Sequence, residues 1–583
     1  GERSVGRLGE AKPSSEVGYL GKRWQIRKVN EAYLQRLVDN LGLPPVFARI
    51  LLNRGITTPE SGRDFLSPSL KSLEGLERLP GMAQALALFG RALREDWRIL
   101  VFGDYDVDGL TASAILVRFL REFSKNIEVY IPSRFVEGYG LTEKAALQVL
   151  VRKPHLVVTV DCGIRDRDGA KVLRKHGVRL VILDHHLPEP SSLPEADAIV
   201  STFDLGTQKP LSLLSGAGLA LVFVRALAAF LGFPRDPLEG FLDLACLGTV
   251  ADVVPLLSEN RAIAMYGLDL MNRCPSLAVQ ALLEAAGLEG RGVDAEAVSF
   301  FLAPRINAAG RIEHPKVALE LLLCDDYGKA LEYAQCLNRL NTKRQRDEDR
   351  ILEEIFQDET KLECLEDEVI VLSGENWNIG VLGIVASRLS ERFMRPVFVC
   401  GVHGDIAVGS GRGVEGLSLL EILESCAPLL LRYGGHEMAV GLKIPRENIP
   451  RFRKEANRRF GERVRSLRLS RGLVVDAVVG LADIDGRFLE LWEKLKPFGE
   501  KNPSPLFATL NVMLAERWAW GKGGNHLRFL VRQGKEWQEA VVFGGKERAG
   551  ELFESSLVDL AFEVDVNALR SPYLKVQDWR IKK

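Results

Sequence analysis

Apolar and polar positions change rhythm several times along the chain, and each change predicts a different kind of element. Residues 1 to 24 carry no periodic apolar pattern and read as a mobile tail. From Lys28 to Gly55 the apolar positions recur at helical spacing: Leu34, Leu37, Val38 and Leu41, then Val46, Ala48, Ile50, Leu51 and Leu52. Thr57-Thr58-Pro59-Glu60 opens a further short helix, with threonine as cap and proline in the first turn. From Arg98 short apolar runs alternate with helical ones. Strands are predicted at 98–103, 127–131, 155–160, 178–183 and 197–200, and helices at 111–124, 141–151 and 165–176. That alternation predicts an α/β fold, a parallel sheet with helices on both faces.

Beyond Leu211 the pattern is mostly helical, through Leu238 to Val250 and Pro275 to Leu288. A charged helix from Lys329 to about Leu362, reading K-R-Q-R-D-E-D-R at Lys343 to Arg350, is expected to be a solvated connector. A second α/β region runs from Val369 to about Ile444. Residues 451 to 471 hold nine Lys or Arg against two Glu, which suits either a solvated helix or a surface that tracks phosphates. After Gly472, short strand-like runs with glycine-rich turns predict a small OB-like β-barrel. Its aromatics, Phe507, Trp518, Trp520, Phe529, Trp537 and Phe543, are expected to be mostly core, although such rings also stack on single strands.

Composition narrows this picture only a little. The 583 residues are 46% hydrophobic and 27% charged, ordinary for globular domains, and the formal net charge of -1 confines any polyanion site to a local patch. Eight cysteines without CxxC spacing fit reduced thiols in a cytoplasmic protein better than a disulfide frame or a zinc site. Gly1 to Lys12 contains no apolar run of the secretory kind. The longest apolar run, Ala217 to Phe233, includes Arg225 and is too short to span a bilayer, so a buried helix is expected.

The chemistry collects at strand ends. The run Ile99 to Gly103 is followed by Asp104, Asp106 and Asp108, before Gly109-Leu110-Thr111 opens an apolar helix. In extended or turn geometry these alternate acids would project together and crowd unless cations lie among them. The strand Leu156 to Val160 ends in Asp161-Cys162-Gly163, and Leu180 to Leu183 ends in Asp184-His185-His186. Carboxyl ends of parallel strands lie along one edge, so these residues can converge. Asp252 sits in the apolar run Gly248 to Leu256 and needs a cation or a donor. Oxygen-rich sites with one or two imidazoles suit Mn²⁺ or Mg²⁺, and two such ions can activate water and stabilise the leaving oxygen in phosphoryl transfer. The residues by themselves thus reach a metal-dependent phosphoester or phosphoanhydride hydrolase.

The order D-Y-D-V-D-G, V-D-C-G, D-H-H and G-T-V-A-D resembles the four motifs of the DHH phosphoesterase superfamily. Within it the chain is similar to the bacterial RecJ single-strand exonucleases, through S-G-A-G at Ser215 to Gly218, R-I-N-A-A-G-R at Arg305 to Arg311, G-G-H-E-M-A-V-G at Gly434 to Gly441 and P-F-G-E-K-N-P-S-P-L-F at Pro497 to Phe507. The resemblance implies a tail at 1–24, an N-terminal segment and DHH domain at 25–325, a connecting helix at 326–365 and a DHHA1 domain at 366–450. A basic helix at 451–471 and an OB-like domain at 472–583, closing a ring around single-stranded DNA, complete it.

It also implies metal ligands, Asp104 or Asp106 with Asp108, a bridging Asp161, His185 and Asp252, and a catalytic pair formed by Asp161 and by His186 facing the scissile phosphate. Related pyrophosphatases carry a histidine where this chain has Phe102, which gives Asp104 that contact. Arg305, Arg311, Ser410 and Arg412 are implied for a 5′-phosphate pocket, Gly434, Gly435 and His436 for substrate, and Tyr139 for stacking on a base. The segment Gly409-Ser410-Gly411-Arg412 is richer in glycine than the family pattern. The implied activity is a two-ion, Mn²⁺- or Mg²⁺-dependent, processive 5′ to 3′ exonuclease releasing mononucleotides in recombination and mismatch repair. The implied molecule is a monomer, with a single-strand-binding protein and a RecQ-type helicase as partners. Two other readings are a phosphodiesterase of short oligonucleotides or cyclic dinucleotides, and an inactive DNA-binding scaffold.

Overall fold

The computed structural model describes residues 23–470, 472–520, 526–544, 552, 556–567 and 569–582, so the tail expected at 1–24 lies outside the described residues except for its last two. Of those, Trp24 is buried and opens a strand, Trp24–Ile26, that pairs in parallel with Leu473–Val475. The chain forms two compact units, residues 70–470 and residues 1–69 with 471–583.

In the larger unit, five parallel strands lie in the order Ile127–Tyr130, Ile99–Gly103, Leu156–Val160, Arg179–Asp184, Ala198–Ser201. The strands Ile99–Gly103 and Leu156–Val160 are buried throughout, as a sheet covered on both faces requires. The first strand in the chain gains a neighbour on one side and then another on the opposite side. The strand order therefore reverses between Gly103 and Val160, which places the crevice at the residues just beyond them, Asp104 and Asp161. The apolar run from Ala217 forms the buried helix Gly216–Leu231, and no helix among the described residues is long and apolar enough to cross a membrane.

One helix of 31 residues, Tyr327–Gln357, leads out of this sheet and is succeeded, after Asp358, by Glu359–Leu365. It spans about 46 Å at 1.5 Å per residue. Glu348 on it is buried and accepts from Arg344 at 2.8 Å, with Arg388 at 2.6 Å. Such a buried acid with two cationic partners is costly to break, and Arg388 ties the connecting helix to the second α/β domain. The sheet of that domain has the order Arg432–Gly435, Ala439–Pro445, Ile406–Arg412, Val397–His403, Ile370–Glu375, parallel only in its last pair. The basic segment forms the helix Ile449–Ser470. Its arginines are largely met within the domain: Arg458 and Arg459 by Glu455, Arg463 by Glu421, Arg465 and Arg468 by Glu368. This pairing favours the solvated-helix reading over a phosphate-tracking surface.

In the other unit the helices Glu31–Leu41, Pro45–Asn53 and Pro59–Leu66 pack with the C-terminal segment that holds the barrel. The cause is specific. Arg54 and Asp476 form an enclosed ion pair at 3.1 Å, and Phe47 meets Phe488 edge-on at 5.1 Å. The barrel strands run in the order Phe507–Trp520, His526–Gln533, Glu536–Val542, Pro572–Ile581, Leu557–Val566, and the last pairs back with the first. Phe507 and Phe529 are core, whereas Trp518, Trp537 and Phe543 are exposed; the expectation of a mostly buried aromatic set fails for these three. The side chain of Trp520 lies outside the described residues.

Candidate metal centre and phosphate cleft

The first acidic turn is tighter than its sequence suggests. The helix begins at Val107, not near 111, and Asp106 caps it by accepting the Gly109 amide at 2.9 Å. Asp104 accepts the Tyr105 amide at 2.7 Å. Asp108 stands in the first helical turn, where its two oxygens accept the amides of Gly216 and Ala217 at 2.6 and 2.8 Å. Those amides are orphan donors at the N-terminus of the helix Gly216–Leu231, and they orient a carboxylate well. The three acids are therefore held by a helix start and a neighbouring helix, and not by alternation along an extended strand.

Four chain segments meet here. The His185 Nε2 lies 3.0 Å from an Asp161 oxygen, 3.5 Å from Asp252 and 3.7 Å from Asp108. Asp108, His185 and Asp252 could hold one cation, Asp104, Asp106 and Asp161 another, and Asp161 also groups with His185 and His186. Asp161 is thus common to both sides of the cluster. Its φ of +60° is unusual for a residue other than glycine, the kind of strain that a functional site sustains.

The electrostatics are unsatisfied without cations. Burial, and then the neighbouring carboxylates, push Asp108 up to about 7 and Asp252 up to about 9, and raise Asp104 and Asp161 well above the carboxylate range. Burial, with the nearby charge of His186, pulls His185 down to about 3, so its ring is neutral. The Asp161 Oδ1 and the His185 Nε2 are buried with no hydrogen-bond partner among the described residues. A neutral imidazole nitrogen aimed among carboxylate oxygens fits divalent cations, and the set of five aspartates and one histidine with no thiolate fits Mn²⁺ or Mg²⁺.

Carboxyl groups raised on folding contribute stability that is full below about pH 4 and lost as pH rises through their folded values, here about 7 and about 9. The metal-free protein should therefore lose stability progressively between about pH 4 and 9, while added Mg²⁺ compensates the charge and displaces protons. The gain in thermal midpoint on adding Mg²⁺ should be roughly twice as large at about pH 8.5 as at about pH 6. Equal gains at the two values would contradict the raised carboxyls.

His186 has a different environment. Its Nδ1 lies 2.7 Å from an oxygen of Asp184, whose other oxygen accepts the Ile164 amide at 3.0 Å. Burial opposes the charge on both partners, but their mutual attraction prevails: His186 rises to about 9 and Asp184 falls to about 2. Tyr139, half exposed, meets His186 edge-on at 6.3 Å and Tyr105 at 6.5 Å.

The residues expected to bind substrate fall into separate groups. Burial first, then the charges of Arg134 and Arg412, pulls Arg311 down to about 9, and burial and Arg134 lower Arg412 as well. Arg134, which the sequence reading missed, thus stands with these two. It lies over the Tyr105 ring at 4.9 Å, and its buried Nε has no hydrogen-bond partner among the described residues. Burial and mutual repulsion act against all this positive charge, so an anion placed there would be strongly favoured. The only advance signal for Arg134 was its place five residues before Tyr139. Arg305, on the same helix as Arg311, Ala303–Ile312, donates to Asn338 at 3.0 Å and to the Phe301 carbonyl at 2.6 Å, on the connecting helix side. Beside it Phe300 and Phe301 are exposed on a π-helical turn, Val298–Leu302.

Ser410 and Arg412 lie on the strand Ile406–Arg412, and the extra glycines there have a packing cause. A Cβ at Gly409 would stand 2.6 Å from the Cys400 sulfur, and one at Gly411 2.7 Å from Val440. Gly434 and Gly435 form an exposed strand end, and the His436 amide donates to the Ala439 carbonyl at 2.8 Å. Burial, then the charges of Arg165 and His186, lower the pKa of His436.

Comparison with known proteins agrees with this layout. Residues 98–249 match the DHH family, N-terminal domain; residues 366–462 match the DHHA1 domain; residues 475–577 match the RecJ OB domain. The chain is 34% identical over 561 residues to the single-stranded-DNA-specific exonuclease RecJ of Bacillus subtilis strain 168, covering 95% of this chain and 70% of that protein. Against the protein of the same name from Escherichia coli K12 it is 34% identical over 557 residues, 91% of this chain and 94% of that one. The crystal structure of RecJ in complex with Mn²⁺ from Thermus thermophilus superposes with a TM-score of 0.80 at 32% identity, over 96% of this chain and 80% of that one. Its Mg²⁺ complex gives 0.75 at 30% identity, over 96% of this chain and 79% of that one. Since identity at this level runs through the sheet, the connecting helix and the barrel alike, the chain belongs to the RecJ family of single-stranded-DNA-specific exonucleases.

Proposed function

We propose that the chain is a metal-dependent exonuclease that degrades single-stranded DNA from the 5′ end and releases mononucleotides. The observation that carries this reading is the adjacency of the carboxylate cluster to Arg134, Arg311 and Arg412, cations without an ion pair among the described residues: a hydrolytic centre beside a pocket for a terminal phosphate. Divalent cations held by Asp104, Asp106, Asp108, Asp161, His185 and Asp252 supply charge stabilisation at the phosphoryl oxygens and a lowered pKa for water. The cofactor is Mn²⁺ or Mg²⁺, the ions carried by the T. thermophilus structures.

The chain's own groups then divide the work. The guanidiniums of Arg134, Arg311 and Arg412, with Ser410, grip the terminal phosphate and fix which bond reaches the acids. Tyr139 stacks on the terminal base. His186, charged through Asp184, faces the scissile phosphate and holds a proton where negative charge develops. Gly434, Gly435 and His436 flank the cleft from the second sheet, and the exposed Phe300 and Phe301 offer an apolar surface to further bases. The match to the RecJ OB domain supports long single strands over dinucleotides as substrate. A single-strand-binding protein and a RecQ-type helicase, cytoplasmic location, a monomeric state and roles in recombination and mismatch repair complete the reading on family grounds.

The test is end chemistry. Wild-type protein should prefer a 5′-phosphorylated oligonucleotide over its 5′-hydroxyl counterpart, and Arg134→Ala should erase that preference with a loss of about 10²-fold in kcat/KM on the phosphorylated strand. An undiminished preference in Arg134→Ala would remove the arginines from the phosphate pocket.

A further inference from the structure

The loop that carries Arg134 and Tyr139 joins the strand Ile127–Tyr130 to the helix Glu143–Leu150 and is fastened at both ends. At its start the Glu137 carboxylate accepts from the Tyr130 hydroxyl at 2.7 Å and from the Ser133 amide at 2.8 Å. At its far end the fastening comes from a different crossover. Asp166, which lies between the strand Leu156–Val160 and the helix Arg167–Lys175, accepts the Leu141 amide at 2.6 Å.

Gly140 lies against the same carboxylate: a Cβ there would stand 2.5 Å from the Asp166 Oδ2, and its φ of +77° is one that L side chains rarely adopt. Among the described residues no ion pair accounts for Asp166. Keeping it there is costly, since burial pushes the carboxyl up to about 6 against the pull of the Leu141 amide. Tyr139, one residue before Gly140, is thereby held edge-on to His186.

We propose that Asp166 is a positioning residue for the terminal nucleotide: by holding the Leu141 amide and packing on Gly140 it fixes Tyr139 beside His186, and so sets affinity for the strand end. The inference rests on the reading of Tyr139 as a stacking residue, and Asp166 itself touches neither substrate nor cation.

The experiment is steady-state kinetics on a short 5′-phosphorylated oligonucleotide with Mn²⁺, using Asp166→Ala, Asp166→Asn, Gly140→Ala, Tyr139→Ala and the double variant Asp166→Ala/Tyr139→Ala. Loss of a stacking contact predicts a KM about five- to tenfold higher for Asp166→Ala, with kcat within about twofold. Gly140→Ala, which breaks the same contact from the other side, should reproduce that rise. Asp166→Asn keeps an oxygen acceptor for the Leu141 amide and should stay within about twofold of wild type. In the Tyr139→Ala background, Asp166→Ala should add almost nothing. A wild-type KM for both Asp166→Ala and Gly140→Ala, or effects of Asp166→Ala and Tyr139→Ala that add in full, would overturn the proposal while the stacking reading stands. An unchanged KM in Tyr139→Ala would overturn the stacking reading and the proposal with it.

Discussion

Replacing Asp161 is expected to cost more than any other single substitution, about 10⁴-fold in kcat for Asp161→Asn on single-stranded DNA. Asp161 alone groups both with Asp104 and Asp106 and with His185, so its charge serves both halves of the cluster. Asparagine is the informative replacement. It tolerates the left-handed backbone that Asp161 adopts at φ +60°, whereas alanine would add a conformational cost of about 1 kcal/mol and confuse charge with strain. Calorimetric titration with Mn²⁺ gives a second readout. Asp161→Asn should lose tight binding of every cation, while Asp104→Ala should weaken one component and leave the His185 side able to bind. Retention of full cation stoichiometry in Asp161→Asn would show that the acid is not shared.

His186→Ala is expected to lower kcat by about 10³-fold with little change in KM, since the ring acts where charge develops and not where the strand is gripped. Its partner is part of this account. Asp184 holds the Nδ1 side at 2.7 Å and raises the imidazolium to about 9, against burial. Asp184→Asn should therefore lower activity about tenfold and move the alkaline limb of the pH–rate profile to lower pH. In the wild type that limb should fall at or below about pH 9, because cations among the nearby acids withdraw part of the negative potential that supports the proton. A His186→Ala protein with normal kcat, or an Asp184→Asn profile identical to wild type, would remove the ring from the chemical step.

The acids were legible in the sequence because they come directly after apolar runs, and a parallel sheet with a reversal of strand order brings such ends together. Asp161 and the Asp184-His185-His186 triplet obey that rule without further help. For Asp104, Asp106 and Asp108 the expected convergence is present, but its cause is different. Alternation in an extended segment predicted it, whereas the helix start at Val107 and the amides of Gly216 and Ala217 place Asp108, and amides more than a hundred residues away leave no local trace. Arg134 was invisible for a related reason: a lone arginine in a loop reads as a surface charge until Arg311 and Arg412 are seen beside it.

Charge density is a poor guide in one place. The basic run after Ile449 suits a phosphate surface by composition, but Glu455 answers two of its arginines from the same helix, and Glu368 and Glu421 answer three more from segments whose neighbourhood a linear reading does not supply. The segment 25–69 shows the same limit at the level of the fold. Its helices were legible by periodicity, yet their partner is fixed by contacts between residues some four hundred apart, such as Arg54 with Asp476. Local pattern specifies elements, and nonlocal pairing decides which core receives them.

Digestion from the 5′ end at the carboxylate cluster is read out by an end-labelled time course on a long single strand with Mn²⁺, comparing a strand blocked at its 3′ end with one blocked at its 5′ end, and with Asp161→Asn and His186→Ala proteins alongside. Mononucleotides are expected from the strand with an open 5′ phosphate, none from the strand blocked there, and rates about 10³- to 10⁴-fold lower from the two variants. Degradation from the 3′ end, or an intact long strand beside a hydrolysed dinucleotide, would contradict 5′ to 3′ exonuclease action.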